Sequence, residues 1–503
     1  MNWGEVTVTL ERFRELARTR RVIPVARRLL ADELTPTGAY RVFGGAPGTF
    51  VLESAEHGAW SRWSFVGVRS RASLLSWDGS AHWVGDVPVG IPATGPVLDV
   101  LRAALAVLRS EPLPGYPPLT GGLVGSLGWD FVTQWERLPH SAVDDLSLPV
   151  VALCLVSDLI ALDHHTGTVW LIANAINADA TDERVDEAWA DAVERLDDME
   201  RTLATARGVV GSVLVDRPEP PLRHRTSQQD FEASVRAGKE AIRDGEVFQV
   251  VLSLRVDVEC AVEPLDVYRV LRSINPSPYM YLLCLPDPRR ATGRIDVVGS
   301  SPETLVTVEG RGARTFPIAG SRPRGRSPEE DHALAAELRA DPKECAEHLM
   351  LVDLARNDLA KFCDPSTVTV RDFMAVKHFS HIMHMASTVT GTMRPDATAL
   401  DALVATFPAG TLSGAPKVRA MELIDQLEPT RRGVYGGTIG YLDFAGNMDM
   451  AIAIRTAVIL DGLASVQAGA GIVADSVPAT EYEECRNKAA AALRAVQLAT
   501  RLR

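Results

Sequence analysis

The sequence predicts an α+β fold in which largely antiparallel strands are combined with long helices, and three observations point there. Short apolar runs alternate with Gly/Pro turns from about Ile23 to Ala175, charged helical stretches occur in both halves, and two glycine-studded segments echo one another. In chain order, Gly48-Thr-Phe-Val-Leu-Glu53 and Val150-Val-Ala-Leu-Cys-Leu-Val156 read as strands. Asp182 to Ala206 reads as a charged helix. Arg217-Pro-Glu-Pro-Pro-Leu-Arg-His-Arg225 has the composition of a linker, which divides the chain into regions 1–225 and 226–503. Ser227 with Asp230 marks a helix start leading into Phe231 to Arg243. Strands then mix with long helices at Lys343 to Lys361 and Thr480 to Leu502. The echo sets Gly121-Gly-Leu-Val-Gly125, before Trp129-Asp-Phe131, against Gly436-Gly-Thr-Ile-Gly440, before Tyr441-Leu-Asp-Phe444. It reads either as two related sheets facing each other or as chance likeness between glycine-rich strands.

A length of 503 residues exceeds one ordinary domain of roughly 100–200 residues, so two cores or one very large core are expected. Lys and Arg number 52 against 65 Asp and Glu, a net charge of −13 that argues against a nucleic-acid binder, which needs a basic face. Apolar residues at 46% suit a globular enzyme. The most apolar stretch, Pro149 to Leu162, is interrupted by Asp158 and falls short of the ~20 residues that cross a bilayer. The N-terminus carries early acidic residues and no apolar signal core, so no secretory signal is expected. Six cysteines without a CxxC pair read as reduced thiols of a cytoplasmic protein.

Two acidic pairs stand out. Glu344 and Glu347 are three residues apart, as are Glu481 and Glu484, so each pair shares a helix face. Four carboxylates without His or Cys suit a hard cation such as Mg²⁺, while from spacing alone solvated helix faces, with Glu484 paired to Lys488 at i,i+4, are the simpler account. Arg455 lies in Met448-Asp-Met-Ala-Ile-Ala-Ile-Arg-Thr-Ala-Val-Ile459, which reads as one strand with Arg455 on its alanine-lined face. A guanidinium there captures a ligand carboxylate or forms a structural ion pair.

Three further patterns need sorting. Gly469-Ala-Gly471-Ile-Val-Ala474 has a GxGxxA spacing, but Pro478 interrupts any long helix directly after it, so no NAD site is expected. Gly410-Thr-Leu-Ser-Gly-Ala-Pro-Lys417 is too tightly spaced for a Walker loop, and Val418 stands where the metal-holding hydroxyl is needed, which excludes ATP. Both glycine runs retain backbone N–H groups that suit an anion. His378, His381 and His384 suggest zinc, yet on one strand running into Gly391, His381 and His384 face opposite sides. One of them as an acid/base group, or plain packing, is the better reading.

Together these motifs resemble the chorismate-utilising enzymes, specifically the large synthase component of anthranilate synthase. The resemblance runs through Val51-Leu-Glu-Ser54, Asn275-Pro-Ser-Pro-Tyr-Met280, Gly299-Ser-Ser-Pro-Glu303 and Pro317-Ile-Ala-Gly-Ser-Arg-Pro-Arg324. It continues through Glu347-His-Leu-Met-Leu-Val-Asp-Leu-Ala-Arg-Asn-Asp358, the Gly410–Lys417 run and Glu481 to Lys488. It implies a sandwich of two large, mainly antiparallel sheets with helices outside. Region 1–225 then carries part of a tryptophan regulatory site, and region 226–503 binds chorismate. The implied reaction converts chorismate and ammonia to anthranilate and pyruvate.

The residue roles follow from the same resemblance. Mg²⁺ sits between Glu347 and Glu484, with Glu344 and Glu481 in support. Arg455 and Tyr435 grip the enolpyruvyl carboxylate, and the backbone of Gly469, Ala470, Gly471, Gly320 and Ser321 completes the cradle. Glu303 protonates the departing hydroxyl with a raised pKa. His384 serves proton removal and pyruvate loss, while Thr411 and Lys488 line the site. Glu53-Ser54 with Pro278-Tyr279-Met280 forms the site for feedback inhibition by L-tryptophan, with Arg62 as a further basic contact.

Two positions separate sister activities. Ala319 stands where aminodeoxychorismate-forming relatives commonly carry an attacking Lys, and Gln249 stands where water-adding relatives carry a Lys base. Together they favour ammonia as nucleophile and anthranilate as product over aminodeoxychorismate, while His384 argues against 2-amino-2-deoxyisochorismate synthase, which stops before pyruvate loss. No cysteine lies in a nucleophile elbow, so a separate glutamine amidotransferase subunit is expected as partner, in a hetero-oligomer. A catalytically silent tryptophan sensor and a nucleotide-dependent oxidoreductase are the rival classes.

Overall fold

The computed structural model of the chain describes residues 3–55, 62–206, 211–378 and 382–503. Apolar and β-branched runs form the strands, as their propensity demands. The first half supplies β1 (Val22–Leu30), β2 (Thr49–Glu53), β3 (Trp63–Ser76), β4 (His82–Gly85), β5 (Gly122–Leu127), β6 (Val151–Asp163), β7 (Thr168–Ile176) and β8 (Leu222–His224). The second half begins with β9 (Gln249–Glu259), β10 (Tyr279–Pro286), β11 (Arg294–Ser301), β12 (Thr304–Glu309), β13 (Gly312–Thr315) and β14 (Ile318–Pro323). It ends with β15 (Thr369–His378), β16 (Ile382–Thr392), β17 (Gly414–Ala415), β18 (Thr438–Asp443), β19 (Met448–Ile452), β20 (Thr456–Leu460) and β21 (Leu463–Ile472).

The helices are α1 (Leu10–Ala17), α2 (Pro36–Phe43), α3 (Val97–Val107), α4 (Val185–Thr205), α5 (Gln228–Arg243) and α6 (Pro264–Ile274). They continue with α7 (Pro328–Ala340), α8 (Pro342–Ala360), α9 (Ala399–Thr406), α10 (Gly410–Ser413), α11 (Lys417–Leu427) and α12 (Pro478–Ala499). Caps explain several boundaries. Ser227 accepts the Asp230 N–H to open α5, and Asp341 accepts the N–H groups of Lys343 and Glu344 to open α8.

All 13 residues of β6 are buried, because the strand is shared by two sheets. One edge pairs with β3 from Trp63↔Asp163 to Ser76↔Val151. The other edge divides, Asp158–Asp163 pairing with β7 and Val151–Leu155 with β5. Two antiparallel arms diverge from this pair. The first runs β1–β7–β6–β3–β2–β10–β11–β20–β21–β9, with β8 and β17 on the outer edge of β9. The second runs β5–β18–β19–β12–β13–β16, with β14 also on β16 and β15 along its far edge. Both halves of the chain contribute strands to each arm. Val124 and Ile439 of the second arm share one buried cluster with Leu283, Val297 and Val458 of the first, which is the filling of a sandwich. Each such side chain contributes about 1.5–3 kcal/mol on burial. Helices pack outside, α4 on β7, α12 on β21 and α8 on β14 and β16.

Several expectations change. The echoed glycine strands do not lie in facing sheets. β5 and β18 are hydrogen-bonded neighbours with Gly125 opposite Gly440. The run 448–459 is two strands, because the chain leaves the second arm after Ile452 and joins the first at Thr456. Within the run 377–390, Lys377 and His378 end β15 and Ile382–Thr390 lie in its antiparallel partner β16, with Lys377 opposite His384. His381 lies outside the described residues. Pro478 does not block a helix but occupies the first turn of α12, where its missing N–H costs nothing. The GxGxxA glycines lie within β21, whose partners are antiparallel, so no parallel dinucleotide unit is built there. Part of the linker pairs as β8. All six cysteines are free, Cys345 half-buried and the rest buried. Among the described residues no helix is long and apolar enough to cross a membrane.

Candidate active site

Two of the crossings between the arms in the second half lie side by side, at Pro302–Glu303 between β11 and β12 and at Ala453–Arg455 between β19 and β20. The crossings are tied together: Ile452 N–H donates to Glu303 O at 2.9 Å, and Ser300 N–H to Arg455 O at 3.3 Å. Each presents a charged side chain that a regular strand would bury in a ladder. Arg455 adopts a left-handed backbone with φ +54°, uncommon outside glycine and a form of strain that concentrates at functional sites.

Glu303 lines a cavity with Thr411, Ile452, Leu354 and Asp358. Thr411 Oγ1 donates to Glu303 Oε1 at 2.9 Å. Loss of hydration pushes the Glu303 carboxyl up to about 7, against smaller opposing effects of the Thr411 hydrogen bond and the Lys488 charge. A carboxyl with that pKa is half protonated near neutrality, which suits a general acid.

On the substrate side, the Lys488 ammonium bridges Glu484 Oε1 at 2.7 Å and Gly469 O at 3.1 Å. Arg455 Nη1 donates to Lys488 O at 3.0 Å. Burial pulls the Arg455 pKa down, with the charges of Tyr435 and Glu484 opposing. A Cβ on Gly469 would lie 2.7 Å from the Tyr435 hydroxyl, and one on Gly471 would lie 2.5 Å from Gln249 Nε2, so this face of β21 admits no side chain. Gly469 and Gly471 stand opposite Ser253 and Val251 of β9. Because the Gly469 carbonyl reaches Lys488, strand alternation turns the amides of Gly469 and Gly471 to the open edge of β21 and that of Ala470 into the ladder opposite Leu252. The Ala470 N–H therefore faces away from the edge that the Gly469 and Gly471 amides share.

Gly320 is a bulge in β14, with φ +68° and a register break between Ala319 and Ser321. A Cβ there would lie 2.8 Å from Glu344 Oε2, so glycine lets α8 close onto the strand. The Gly320 carbonyl accepts His384 Nδ1–H at 3.2 Å, which makes Nε2 the proton-accepting nitrogen. Burial holds His384 below its ordinary pKa, which favours the neutral ring. Ser321 is exposed at the rim.

The four carboxylates belong to one neighbourhood. Loss of hydration and then Glu344 raise Glu347, and Glu484 on α12 adds to the effect. Loss of hydration also raises Glu481, with Glu484 contributing. Among the described residues no three His, Cys, Asp or Glu side chains are gathered closely enough to enclose an ion. As an all-carboxylate donor set, the four residues suit a hard cation that keeps several waters. Arg322, 3.7 Å from Glu344, and Lys343 are neighbouring cations that sequence reasoning missed.

The motifs assigned to tryptophan also meet. Met280 pairs with Glu53, and the Ala55 N–H donates to Ser277 O at 3.1 Å. Glu53 Oε1 accepts from Arg272 at 2.7 Å and from the Tyr268 hydroxyl. The Ser54 hydroxyl is buried without a hydrogen-bond partner among the described residues. Pro278 and Tyr279 are half-buried, and the Tyr279 hydroxyl meets Asp449 and Thr304, each at 2.9 Å. Arg62 is committed to Asp163 through contacts of 3.0 and 2.8 Å.

Known proteins resemble this chain over nearly its whole length. A family model for chorismate binding enzymes matches residues 48–494. Anthranilate synthase component 1 of Arthrobacter globiformis is 56% identical, covering 99% of this chain and 94% of that protein. That of Mycolicibacterium smegmatis is 54% identical over 99% and 95%. The crystal structure of anthranilate synthase component I from Streptococcus pneumoniae TIGR4 superposes with a TM-score of 0.72 at 34% identity, covering 92% of this chain and 98% of that one. A menaquinone-specific isochorismate synthase from Escherichia coli, at 19% identity and a TM-score of 0.69, shares the fold. The chain belongs to the chorismate-binding enzymes, a family of chorismate-utilising lyases, and within it to the anthranilate synthase component 1 branch.

Proposed function

We propose that the chain converts chorismate and ammonia to anthranilate and pyruvate, the first step of tryptophan biosynthesis, with Mg²⁺ and under inhibition by L-tryptophan. The observation that carries the reading is the separation of an acid from a base. Glu303 is held near neutrality beside Thr411, while neutral His384 stands on the other wall beside Gly320. Glu303 delivers its proton to the departing C4 hydroxyl as ammonia adds at C2. His384 Nε2 takes the C2 proton as the enolpyruvyl group leaves, and the ring becomes aromatic. Arg455 and Tyr435 orient the enolpyruvyl carboxylate, with the Gly469 and Gly471 amides completing its cradle. Glu347 and Glu484, supported by Glu344 and Glu481, hold Mg²⁺, which when bound neutralises the ring carboxylate.

The names of the relatives support a second component, and the proposed partner is a glutamine amidotransferase that supplies ammonia. Gln249 beside Gly471 supports ammonia over water as nucleophile, since an amide side chain does not deprotonate water. The test is fluorescence, because anthranilate is aromatic. Incubation with chorismate, Mg²⁺ and an ammonium salt yields anthranilate emission, and chorismate consumption without emission would overturn the reading.

A further inference from the structure

Beneath the site lies a charged pair that the proposed chemistry does not use. The Arg432 and Glu428 side chains are 1% and 5% exposed. Arg432 Nε donates to Glu428 Oε2 at 2.9 Å and Nη2 to Oε1 at 2.6 Å. The remaining donors reach backbone, Nη1 to Leu412 O at 2.7 Å and Nη2 to Val251 O at 2.8 Å. The guanidinium lies 4.3 Å from the Trp129 ring and 5.4 Å from that of Tyr435. Glu428 Oε1 also accepts the N–H and hydroxyl of Ser253, at 2.8 and 2.7 Å.

Stability alone is a poor reason for such a pair. Desolvating two ions costs several kcal/mol each, and apolar replacements of similar volume are often neutral or stabilising. The destinations of the contacts are the informative part. Leu412 follows Thr411 in α10, Tyr435 faces Gly469, and Ser253 and Val251 stand opposite Gly469 and Gly471. One guanidinium therefore reaches the residue that follows the donor to Glu303, the Tyr435 ring and the strand that pairs with Gly469 and Gly471.

We infer that Arg432, oriented by Glu428, is a positioning residue that fixes α10, and so the Thr411 hydroxyl on Glu303, together with the Tyr435 ring over the cradle. The inference rests on Glu303 acting as the general acid. Glu303 faces Thr411 from α10, Lys488 from α12 and, across the cavity, Asp358 from α8, which is itself paired with Lys361 and Lys417.

The experiment compares the pH dependence of kcat for wild type, Thr411→Val, Arg432→Lys and their double variant, with free ammonia constant and Mg²⁺ saturating. Thr411→Val removes a bond that lowers the Glu303 pKa, so the alkaline limb moves to higher pH. Arg432→Lys keeps the charge but does not span Glu428, Leu412 and Val251 together. It is expected to move the limb the same way, lower kcat about tenfold and raise the chorismate KM several-fold, and the double variant shifts the limb no further than Thr411→Val. A folded Arg432→Lys with an unmoved limb, whatever its kcat, beside a shifted Thr411→Val overturns the Arg432 role alone. An unmoved limb in Thr411→Val overturns the Glu303 reading and this inference with it. Should Arg432→Lys not fold, Glu428→Gln is read by the same criteria, and failure of both to fold marks the pair as structural and ends the proposal.

Discussion

The acid wall and the carboxylate wall of the site are built on opposite principles. Glu303 sits at a sheet crossover, hydrogen-bonded to Thr411 and raised by loss of hydration, so the protein itself completes its environment. Glu344, Glu347, Glu481 and Glu484 come from two helices, and Glu347 and Glu481 are raised partly by the charge of their neighbours. One wall is preorganised, whereas the other requires added positive charge to become so. The contrast separates a carboxyl whose surroundings the protein itself supplies from a set of carboxylates whose chemistry suits a hard cation.

The sharpest way to break this comparison is Glu303→Gln, which keeps shape and hydrogen bonding but removes the proton. Turnover of chorismate is expected to fall about 10³-fold, within the range for a lost general acid, at unchanged Mg²⁺ affinity by calorimetric titration. Glu344→Gln probes the other wall. Mg²⁺ binding is expected to weaken about 10–100-fold, the usual cost of losing a supporting partner, while the alkaline limb of kcat stays in place at saturating metal. At the tryptophan motifs, Ser54→Ala removes a buried hydroxyl without a partner among the described residues and is expected to raise the half-inhibitory tryptophan concentration about tenfold.

The smallest effect concerns stability. Glu303 has a folded pKa above its unfolded one, so its favourable share is complete below the unfolded value of 4.5 and is lost as pH rises through about 7. Glu303→Gln is therefore expected to melt a few degrees above wild type at pH 8–9 in differential scanning calorimetry. That difference closes or reverses near pH 4.

Helix-borne features were legible in the sequence because their spacing is local. The i,i+3 acidic pairs appear on α8 and α12, and the i,i+4 contact of Glu484 with Lys488 is real. Features set by long-range pairing were not. The run through Arg455 has perfect strand alternation, yet the chain changes sheets at Ala453–Arg455, and nothing local records which strand lies alongside. Ala470 shares the composition of its glycine neighbours, but alternation turns its amide into the ladder. Arg432 and Glu428 look like an ordinary exposed i,i+4 pair. Only the tertiary fold buries them against Trp129 from the other half of the chain. The Thr411–Glu303 bond joins segments 108 residues apart, and the Gly410–Lys417 resemblance was the sole hint of it.

The most direct test of the central claim is kcat/KM of chorismate for anthranilate formation from pH 5 to 9, at constant free ammonia and saturating Mg²⁺. The account predicts a single alkaline decline centred near 7 in wild type, carried by Glu303, and its absence from the residual activity of Glu303→Gln. A wild-type rate that stays level through that range, or a decline that persists unchanged in Glu303→Gln, would contradict it.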